Sequence, residues 1–190
     1  MFWENLKGKT DEELMLMISD GHERAFTVLY ERYSRPMLRY FFRMLWKDES
    51  KAQDFLHDLF VKIIERPEYF DTTKKFSTWI YSVAHNMCKN EYRKQAFRQS
   101  VQSQIVTADT IESTAPAKID AQHFASALER AMNHWVEDDK SLFVLRHELE
   151  MTFAEIGTIL NCPEGTAKSR WFYLRKGLAE QLNGFQSLIR

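Results

Sequence analysis

The segment from Glu164 to Lys176 carries side chains that could hydrogen-bond to the base edges and phosphates of DNA. It contains four basic residues and one acidic residue, which gives a local charge of +3. Arginine and lysine donate to guanine edges in the major groove, and both also pair with phosphates. Donors of this kind near the start of a helix are what reading of the major groove requires. The candidate DNA-reading residues are Glu164, Gly165, Thr166, Lys168, Ser169, Arg170, Tyr173, Arg175 and Lys176.

Two helices are predicted to position these side chains. Thr152 and Glu155 have the spacing of a capping box, which predicts that a short helix begins there. The Asn-Cys-Pro sequence at 161–163 ends that helix because the residue before a proline avoids the α region, and the proline suits the start of the next helix. Gly157 lacks a Cβ and would allow that helix to approach closely. The pattern predicts a helix-turn-helix over residues 152–176, with an ordinary helical hairpin and a solvated basic face as the alternative.

A second basic segment, from Lys74 to Arg98, has six basic residues and one acidic residue, with aromatic residues among them. Aromatic rings stack on unpaired bases while Lys and Arg pair with phosphates, so this composition is typical of a surface for single-stranded nucleic acid. The alternatives are a solvated basic face and, for Trp79, a place in the core. A helix is expected to begin near Phe76. The candidate strand-binding residues are Lys74, Lys75, Phe76, Trp79, Ser82, His85, Asn86, Lys89, Asn90, Tyr92 and Arg93.

An acidic segment, Asp48 to Asp71, has seven acidic and three basic residues. Its apolar residues from Ala52 to Ile64 recur on one face, which predicts an amphipathic helix capped at 48–50. Asp54 and Asp58 stand four residues apart on the other side, with His57 beside them. Such a face is either solvated or could dock a basic partner.

The remaining segments also have helical spacing and no sustained strand-like alternation, so the chain is predicted to be all-α. Thr10 and Glu13 form another capping box. The apolar residues from His22 to Trp46 follow one helical face, and Pro36 is expected to kink or divide that helix.

Residues 99–122 are polar with weak periodicity, which predicts a linker with little structure of its own. A second helical module is expected to start at Phe124, and Asp138 or Asp139 is expected to cap a short helix within it. An amphipathic tail through Phe185 is expected after the helix-turn-helix.

The composition limits the class of protein. A chain of 190 residues with 44% hydrophobic residues can form one large or two small domains with real cores. The net charge of −1 means that any nucleic-acid surface must be local. Cys88 and Cys162 fit no disulfide framework, and His85 with Cys88 lacks further ligands, so neither a metal nor another cofactor is expected. No apolar run marks a signal peptide or a membrane span, so a cytoplasmic protein without membrane insertion is expected.

Both halves of the chain resemble one family, the bacterial RNA polymerase sigma factors of the extracytoplasmic-function group within the sigma-70 family. KAQDFLHDLFVKIIE is similar to their acidic polymerase-binding helix, and FSTWIYSVAHNMCKNEYRK is similar to their helix for the minus-ten promoter element. EIGTILNCPEGTAKSRWFYLRKGL resembles their fourth conserved region. The chain departs from the usual patterns at His57, where Gln is usual, at Ala167, where Val is usual, and at Tyr173-Leu174, near the usual Arg-Ala.

The resemblance implies two small helical domains joined by a flexible linker. A region 2-like domain would occupy residues 1–97, the linker residues 98–121, and a region 4-like helix-turn-helix domain residues 122–190. The first domain would bind core RNA polymerase and the minus-ten element, and the second would bind the minus-thirty-five element.

The resemblance also implies a function: a sigma factor that directs core RNA polymerase to specific promoters and promotes melting of promoter DNA. The loop Pro67–Lys75 and the start of the next helix would trap a base extruded from the minus-ten element, so that binding offsets the cost of unstacking. An anti-sigma factor would be a further partner. The residues that would contact core polymerase are Asp54, Phe55, His57 and Asp58.

Two other classes of protein are alternatives to this interpretation. A conventional helix-turn-helix regulator would explain residues 120–190 but would leave the acidic helix and the aromatic basic helix unused, and it would normally be a dimer that reads a palindrome. An enzyme would need a nucleophile–base pair, a phosphate loop or a metal set, and the sequence has no such pattern. No catalytic residue is therefore predicted.

Overall fold

The computed structural model describes residues 6–102, 126–128, 130–132 and 135–182. Within these ranges there are helices and turns but no strand, which confirms the all-α prediction. The longer helices are α1 (Asp11–Ser19), α2 (Glu23–Met44), α3 (Glu49–Glu65), α4 (Phe76–Gln102), α5 (Glu137–Phe143), α6 (Phe153–Ile159) and α7 (Glu164–Gln181). A 3₁₀ turn spans Pro67–Tyr69 and a π turn spans Val144–Glu148.

Both predicted capping boxes are confirmed. The Thr152 hydroxyl accepts from the Glu155 N–H at 3.3 Å, and the Glu155 carboxylate accepts from the Thr152 N–H at 2.9 Å. Thr10 and Glu13 make the same pair of bonds at the start of α1. Asp48 caps α3 by accepting from a backbone N–H at 2.9 Å, as predicted. Each of these helix starts thus has a side-chain acceptor for backbone donors that lack intrahelical partners.

Two local predictions are corrected, and one of the two outcomes expected at Pro36 is excluded. Pro36 does not divide its helix, because α2 is continuous and buries residues on both sides of the proline against one core. Asp138 and Asp139 do not cap α5; the cap position is Val136, and the two acids lie inside the first turn, where they complement the helix dipole. Helix α4 continues to Gln102, so the first residues of the predicted linker are helical. The predicted positions Phe124 and Phe185 lie outside the described residues.

Helices α1 to α4 form the first module around a core of apolar side chains. Aromatic rings pack together around the start of α4: the Phe76 ring packs edge-on against Phe70, with ring centres 5.4 Å apart, and against Tyr33, with ring centres 5.1 Å apart. Trp79 covers this group, with its ring centre 5.2 Å from that of Phe70 and 5.6 Å from that of Phe76.

Ile64 was expected on the buried face of α3 but is half exposed and lines a surface groove with Ile18 and Phe26.

The second module packs directly on the first. Its buried apolar residues join one continuous core with those of α2 and α4, and the Tyr40 hydroxyl bonds the Ser141 hydroxyl at 2.8 Å in the buried contact. A buried hydroxyl needs such a partner because an unpaired one costs free energy. The second-module residues in this core are Leu142, Val144, Leu145, Ile156, Ile159, Leu160 and Ala167.

The turn of the helix-turn-helix depends on Gly157. A Cβ at this position would lie 2.7 Å from the carbonyl oxygen of Cys162 and 3.4 Å from the backbone N of Glu164. Those backbone atoms belong to the turn and to the start of α7. The sequence prediction that Gly157 allows a close approach is therefore confirmed, and the neighbour is backbone that cannot rotate away.

We expect Gly157→Ala to destabilise the protein by about 1–3 kcal/mol, the usual cost of forcing an extra group into a packed site. Gly177→Ala is the matched control, because it lies in the interior of α7 and the methyl group that alanine adds there would have no neighbour within 4 Å. Alanine favours a helix, so the control should be stabilised by up to about 1 kcal/mol. Urea unfolding measures both changes. If both substitutions change the free energy of unfolding in the same direction, the assigned role of Gly157 is contradicted.

Candidate nucleic-acid interface

Helix α7 displays most of the predicted DNA-reading side chains on its exposed face. Lys168 is exposed and pairs with Glu164 one turn earlier at 2.7 Å, while Tyr173 is 69% exposed beside an equally open Phe172. Thr166 and Arg170 are half buried. The other exposed members of the predicted set are Glu164, Gly165, Ser169, Arg175 and Lys176. These side chains form a basic and aromatic face that is free to meet a partner, except at Arg170.

The predicted strand-binding residues separate into a surface group and a supporting group. Two members are buried: Phe76 lies in the aromatic core and His85 is only 2% exposed. Trp79 is half buried over the Phe76 ring, which agrees with its core alternative. Tyr92 is also half buried and donates its hydroxyl proton to the Met44 carbonyl at 2.6 Å. The prediction that Phe76 itself contacts DNA is therefore corrected; its ring holds the surface in place from beneath.

The surface group lies along one side of α4 and in the loop before it. Lys74, Lys75, Asn86, Asn90 and Arg93 are exposed, while Ser82 and Lys89 are half buried. Their polar and cationic groups could hydrogen-bond to base edges and phosphates.

A cleft of about 520 Å³ separates this face of α4 from the second module. Its first wall is made by Ser82, His85, Asn86, Lys89, Asn90 and Arg93, and its second wall by Asp138, residues 158–162 and Arg170. The surface predicted to bind a single strand thus faces a cation of the predicted recognition helix across one cleft.

One carboxylate joins the two walls. Asp138 Oδ1 lies 3.3 Å from Lys89 Nζ and 3.3 Å from His85 Nε2, while Asp138 Oδ2 accepts from Arg170 Nη1 at 3.2 Å. Burial raises the pKa of this carboxyl, but the Arg170 hydrogen bond and the Lys89 charge outweigh it, so the pKa lies below its ordinary value. Asp138 is therefore ionised at neutral pH.

His85 is neutral at that pH. Burial lowers the pKa of its imidazole, and the attraction of Asp138 offsets this only in part. Within the described part of the chain neither ring nitrogen makes a hydrogen bond, since the Asp138 contact lacks hydrogen-bond geometry. His85 therefore contributes a polar wall to the cleft and no positive charge.

A second contact between the modules involves Lys75, in the loop before α4. Lys75 Nζ pairs with Glu155 Oε1 at 2.8 Å, and this bond with the capping-box contacts lowers the pKa of Glu155 to about 2. Arg43 and Glu148 make a further ion pair at 3.0 Å.

Lys140 is buried with its ammonium 5.4 Å from the centre of the Tyr92 ring, and burial lowers the pKa of Lys140.

The acidic helix α3 places Asp54, His57 and Asp58 in solvent, as predicted. Phe55 is half buried and packs edge-on against Phe41 at 5.6 Å. Its ring anchors the helix while the three polar side chains remain available to a partner.

The described residues offer neither a metal centre nor a membrane span. Over the ranges that the structure describes, no group of three or more His, Cys, Asp or Glu side chains could hold a metal ion. Among these residues, no helix combines the length and the apolar character that crossing a bilayer needs.

Comparison with protein families gives two matches. The family model described as Sigma-70 region 2 matches residues 29–98, and the one described as Sigma-70, region 4 matches residues 125–175. The first match covers most of α2, all of α3 and most of α4, and the second covers α5, α6 and about two thirds of α7.

Curated relatives match over nearly the whole chain. RNA polymerase sigma-H factor of Pseudomonas aeruginosa is 26% identical, and the match covers 97% of this chain and 98% of that protein. ECF RNA polymerase sigma factor SigW of Bacillus subtilis is 25% identical over 87% of this chain and 92% of its own length. ECF RNA polymerase sigma-E factor of Escherichia coli strain K12 is 26% identical over 95% and 97%, respectively.

Two solved structures share the fold. CnrH, solved with the cytosolic domain of CnrY, matches with a TM-score of 0.69 at 18% identity, over 93% of this chain and 99% of that chain. RpoE of Bartonella quintana, solved with the anti-sigma factor NepR, matches with a TM-score of 0.64 at 19% identity, over 83% and 96%.

Proposed function

Because the chain belongs to the sigma-70 family, in the extracytoplasmic-function group, we propose that it is a sigma factor that directs core RNA polymerase to specific promoters. The observation that carries this proposal is the order of the two family regions along one chain, each with its own candidate binding face. A helix-turn-helix regulator would account only for the second region. The relatives are sigma factors and not enzymes, so the protein acts by binding.

We propose that the two modules divide the work of promoter recognition. The exposed face of α7 supports contact with the minus-thirty-five element, because its donors lie along the first turns of a recognition helix. The surface group of α4 and the loop before it support contact with the minus-ten element. There, Asn86 and Asn90 can hydrogen-bond to base edges while Lys89 and Arg93 follow the backbone.

We also propose, from the same arrangement, that the chain promotes melting of promoter DNA. A base that leaves the stack loses a few kcal/mol of stacking, and a protein surface that holds the extruded base offsets that loss. The exposed loop before α4 lies beside the surface group, where it could receive such a base. Binding energy would then drive strand opening without any chemical step on the DNA.

Core RNA polymerase and an anti-sigma factor are the proposed protein partners. For polymerase, the exposed carboxylates of Asp54 and Asp58 offer complementary charge to a basic partner, with His57 beside them. An anti-sigma factor is supported by the two fold neighbours, one solved with NepR and the other with CnrY. Since polymerase is the partner, we place the action of the chain in the cytoplasm.

In-vitro transcription tests the proposed function. Purified core polymerase with this chain should start transcription on DNA from upstream of the chain's own gene, and core polymerase alone should not. An Asp54→Lys, Asp58→Lys variant should lose core binding and transcription, because two attractive charges become repulsive while the buried face of α3 is unchanged.

Asp20→Lys is the control for this variant, because it adds a positive charge to an exposed residue outside α3. Normal transcription and normal core affinity for the double variant, at low and moderate salt, would contradict the assignment of α3. Complete absence of polymerase-dependent transcription with the unmodified chain would contradict the proposed function.

A further inference from the structure

One cation from each proposed DNA-binding surface points into the cleft in the free chain, while the rest of the α7 face stays exposed. Lys89 of α4 and Arg170 of α7 bind opposite oxygens of the single carboxylate of Asp138. We propose that Asp138 is an intramolecular latch, which holds the chain closed by taking the place of DNA at Lys89 and Arg170. This inference rests on the proposed function, since it concerns the regulation of the same surfaces.

The chemistry of Asp138 suits this role. A carboxylate accepts charge-assisted hydrogen bonds from Lys and Arg, as a phosphate does. Asp138 stands between Glu137 and Asp139 in the first turn of α5, so this turn is the acidic counterpart to two basic surfaces. Its carboxylate is 20% exposed, which shields the contacts partly from water and salt.

The cleft explains how closure keeps duplex DNA away from Arg170. A cleft of about 520 Å³ has the volume of a small-molecule pocket. Major-groove reading needs the recognition helix to enter the groove of the DNA, and the side of α7 that carries Arg170 faces α4 across this cleft. Duplex therefore has no access to the part of α4 and α7 that lines the cleft while the modules are closed.

Promoter geometry requires the same separation. Elements centred near positions minus ten and minus thirty-five are about 85 Å apart along the helix axis, at about 3.4 Å per base pair. Lys89 and Arg170 cannot serve both elements while they share one carboxylate. The closed form must open before the chain engages a promoter.

The other ties between the modules support a reversible latch. The Lys75–Glu155 and Arg43–Glu148 ion pairs lie at the rim, where exposed pairs are individually weak. The Tyr40–Ser141 hydrogen bond and the shared apolar residues hold the two modules together at the centre of their contact. Loss of the Asp138 contacts should shift the balance toward the open form, while the apolar contacts at the centre continue to oppose opening.

Zero-length cross-linking tests the closed form in solution. A carbodiimide joins a lysine to a carboxylate only at contact distance, and the Lys75–Glu155 pair lies at 2.8 Å. Mass spectrometry of the free, unmodified chain should identify this cross-link. Asp138→Asn, which keeps the shape of the side chain but removes its charge, should reduce the yield on the order of fivefold, since it weakens two partly shielded ion pairs.

Asp20→Asn is the matched control, because it removes the same charge from an exposed residue at the end of α1. It should cross-link as the unmodified chain does. Circular dichroism checks that each variant keeps its helices. If Asp138→Asn folds and cross-links as well as the control, or if the unmodified chain yields no Lys75–Glu155 cross-link, the latch is overturned.

DNA binding by the free chain tests the inhibitory role. On a fluorescein-labelled duplex from upstream of the chain's own gene, Asp138→Asn should bind on the order of fivefold tighter than the unmodified chain and Asp20→Asn. With core polymerase present and the chain already open, the three should bind alike. Equal binding by all three free chains would overturn the inhibitory role.

The two failures are distinguishable. If the proposed function fails, the unmodified chain supports no polymerase-dependent transcription, whatever the cross-linking shows. If only the latch fails, transcription is normal and neither the cross-link nor the free-chain affinity responds to Asp138→Asn.

Discussion

A chain carrying Asn86→Ala and Lys89→Ala will bind core polymerase and dock the minus-thirty-five element, yet fail to open duplex DNA. Asn86 is exposed on α4 and offers both a donor and an acceptor to a base edge, while Lys89 offers a cation to the backbone. Holding an unstacked strand depends on such contacts to base edges and to the backbone. Permanganate footprinting of thymines in the minus-ten element measures the opening.

A template with a pre-melted minus-ten bubble should recover much of the lost transcription, because the unstacking cost has already been met. The same substitution removes Lys89 from the Asp138 carboxylate, which on its own would favour the open chain. A defect in strand opening therefore cannot arise from the latch. Normal permanganate reactivity on linear duplex would leave α4 with only a solvated basic face.

Arg170→Ala should weaken binding of the polymerase complex to its promoter by about 1–3 kcal/mol and relax sequence preference at one base pair. That loss corresponds to roughly 5-fold to 150-fold in affinity. The reason is the fork of donors on Arg170, which matches the two acceptors of a guanine edge. Competition binding with a set of single-base promoter variants measures both affinity and preference.

Lys168→Ala and Arg175→Ala are compared with it in the same assay. A residue that contacts only phosphate should weaken all sequences alike and reduce the salt dependence of binding. Wild-type promoter binding and start-site use by all three variants would show that α7 is not the recognition helix. The free chain should respond differently to Arg170→Ala, because this change also removes one of the partners of Asp138.

The helix-turn-helix could be predicted from sequence because its signals are local. The Thr152–Glu155 cap and the turn at 161–163 act over a few residues, and Gly157 has its close neighbour only five residues later, at Cys162. Propensity and capping are properties of such short stretches. The same holds for the Asp48 cap of α3.

The fate of aromatic side chains could not be predicted from composition. Phe76 and Tyr92 lie among basic residues, which is equally compatible with stacking on bases and with packing beneath a surface. The structure buries Phe76 fully and turns the Tyr92 hydroxyl to a backbone carbonyl. Packing against Phe70 and Tyr33, from other segments of the chain, decides the outcome for Phe76.

The role of Asp138 was missed for a related reason. Its position suggested a helix cap, but its partners Lys89 and Arg170 lie 49 and 32 residues away in sequence. No local pattern encodes such a meeting, since it depends on how two modules pack. The signal present in the sequence was weaker: three consecutive acids in a chain whose two basic segments both needed counter-charges.

The hydrogen bond between Tyr40 and Ser141 joins residues 101 positions apart, and that distance has a consequence for protein synthesis. Ribosomes add about 5–20 residues per second, and N-terminal domains fold first. About 5 to 20 s therefore pass between the synthesis of Tyr40 and that of Ser141. Within this interval the basic side of α4 is synthesised before Asp138 is. The nascent chain thus passes through an open stage, in which it is able to meet nucleic acid before it is able to close on itself.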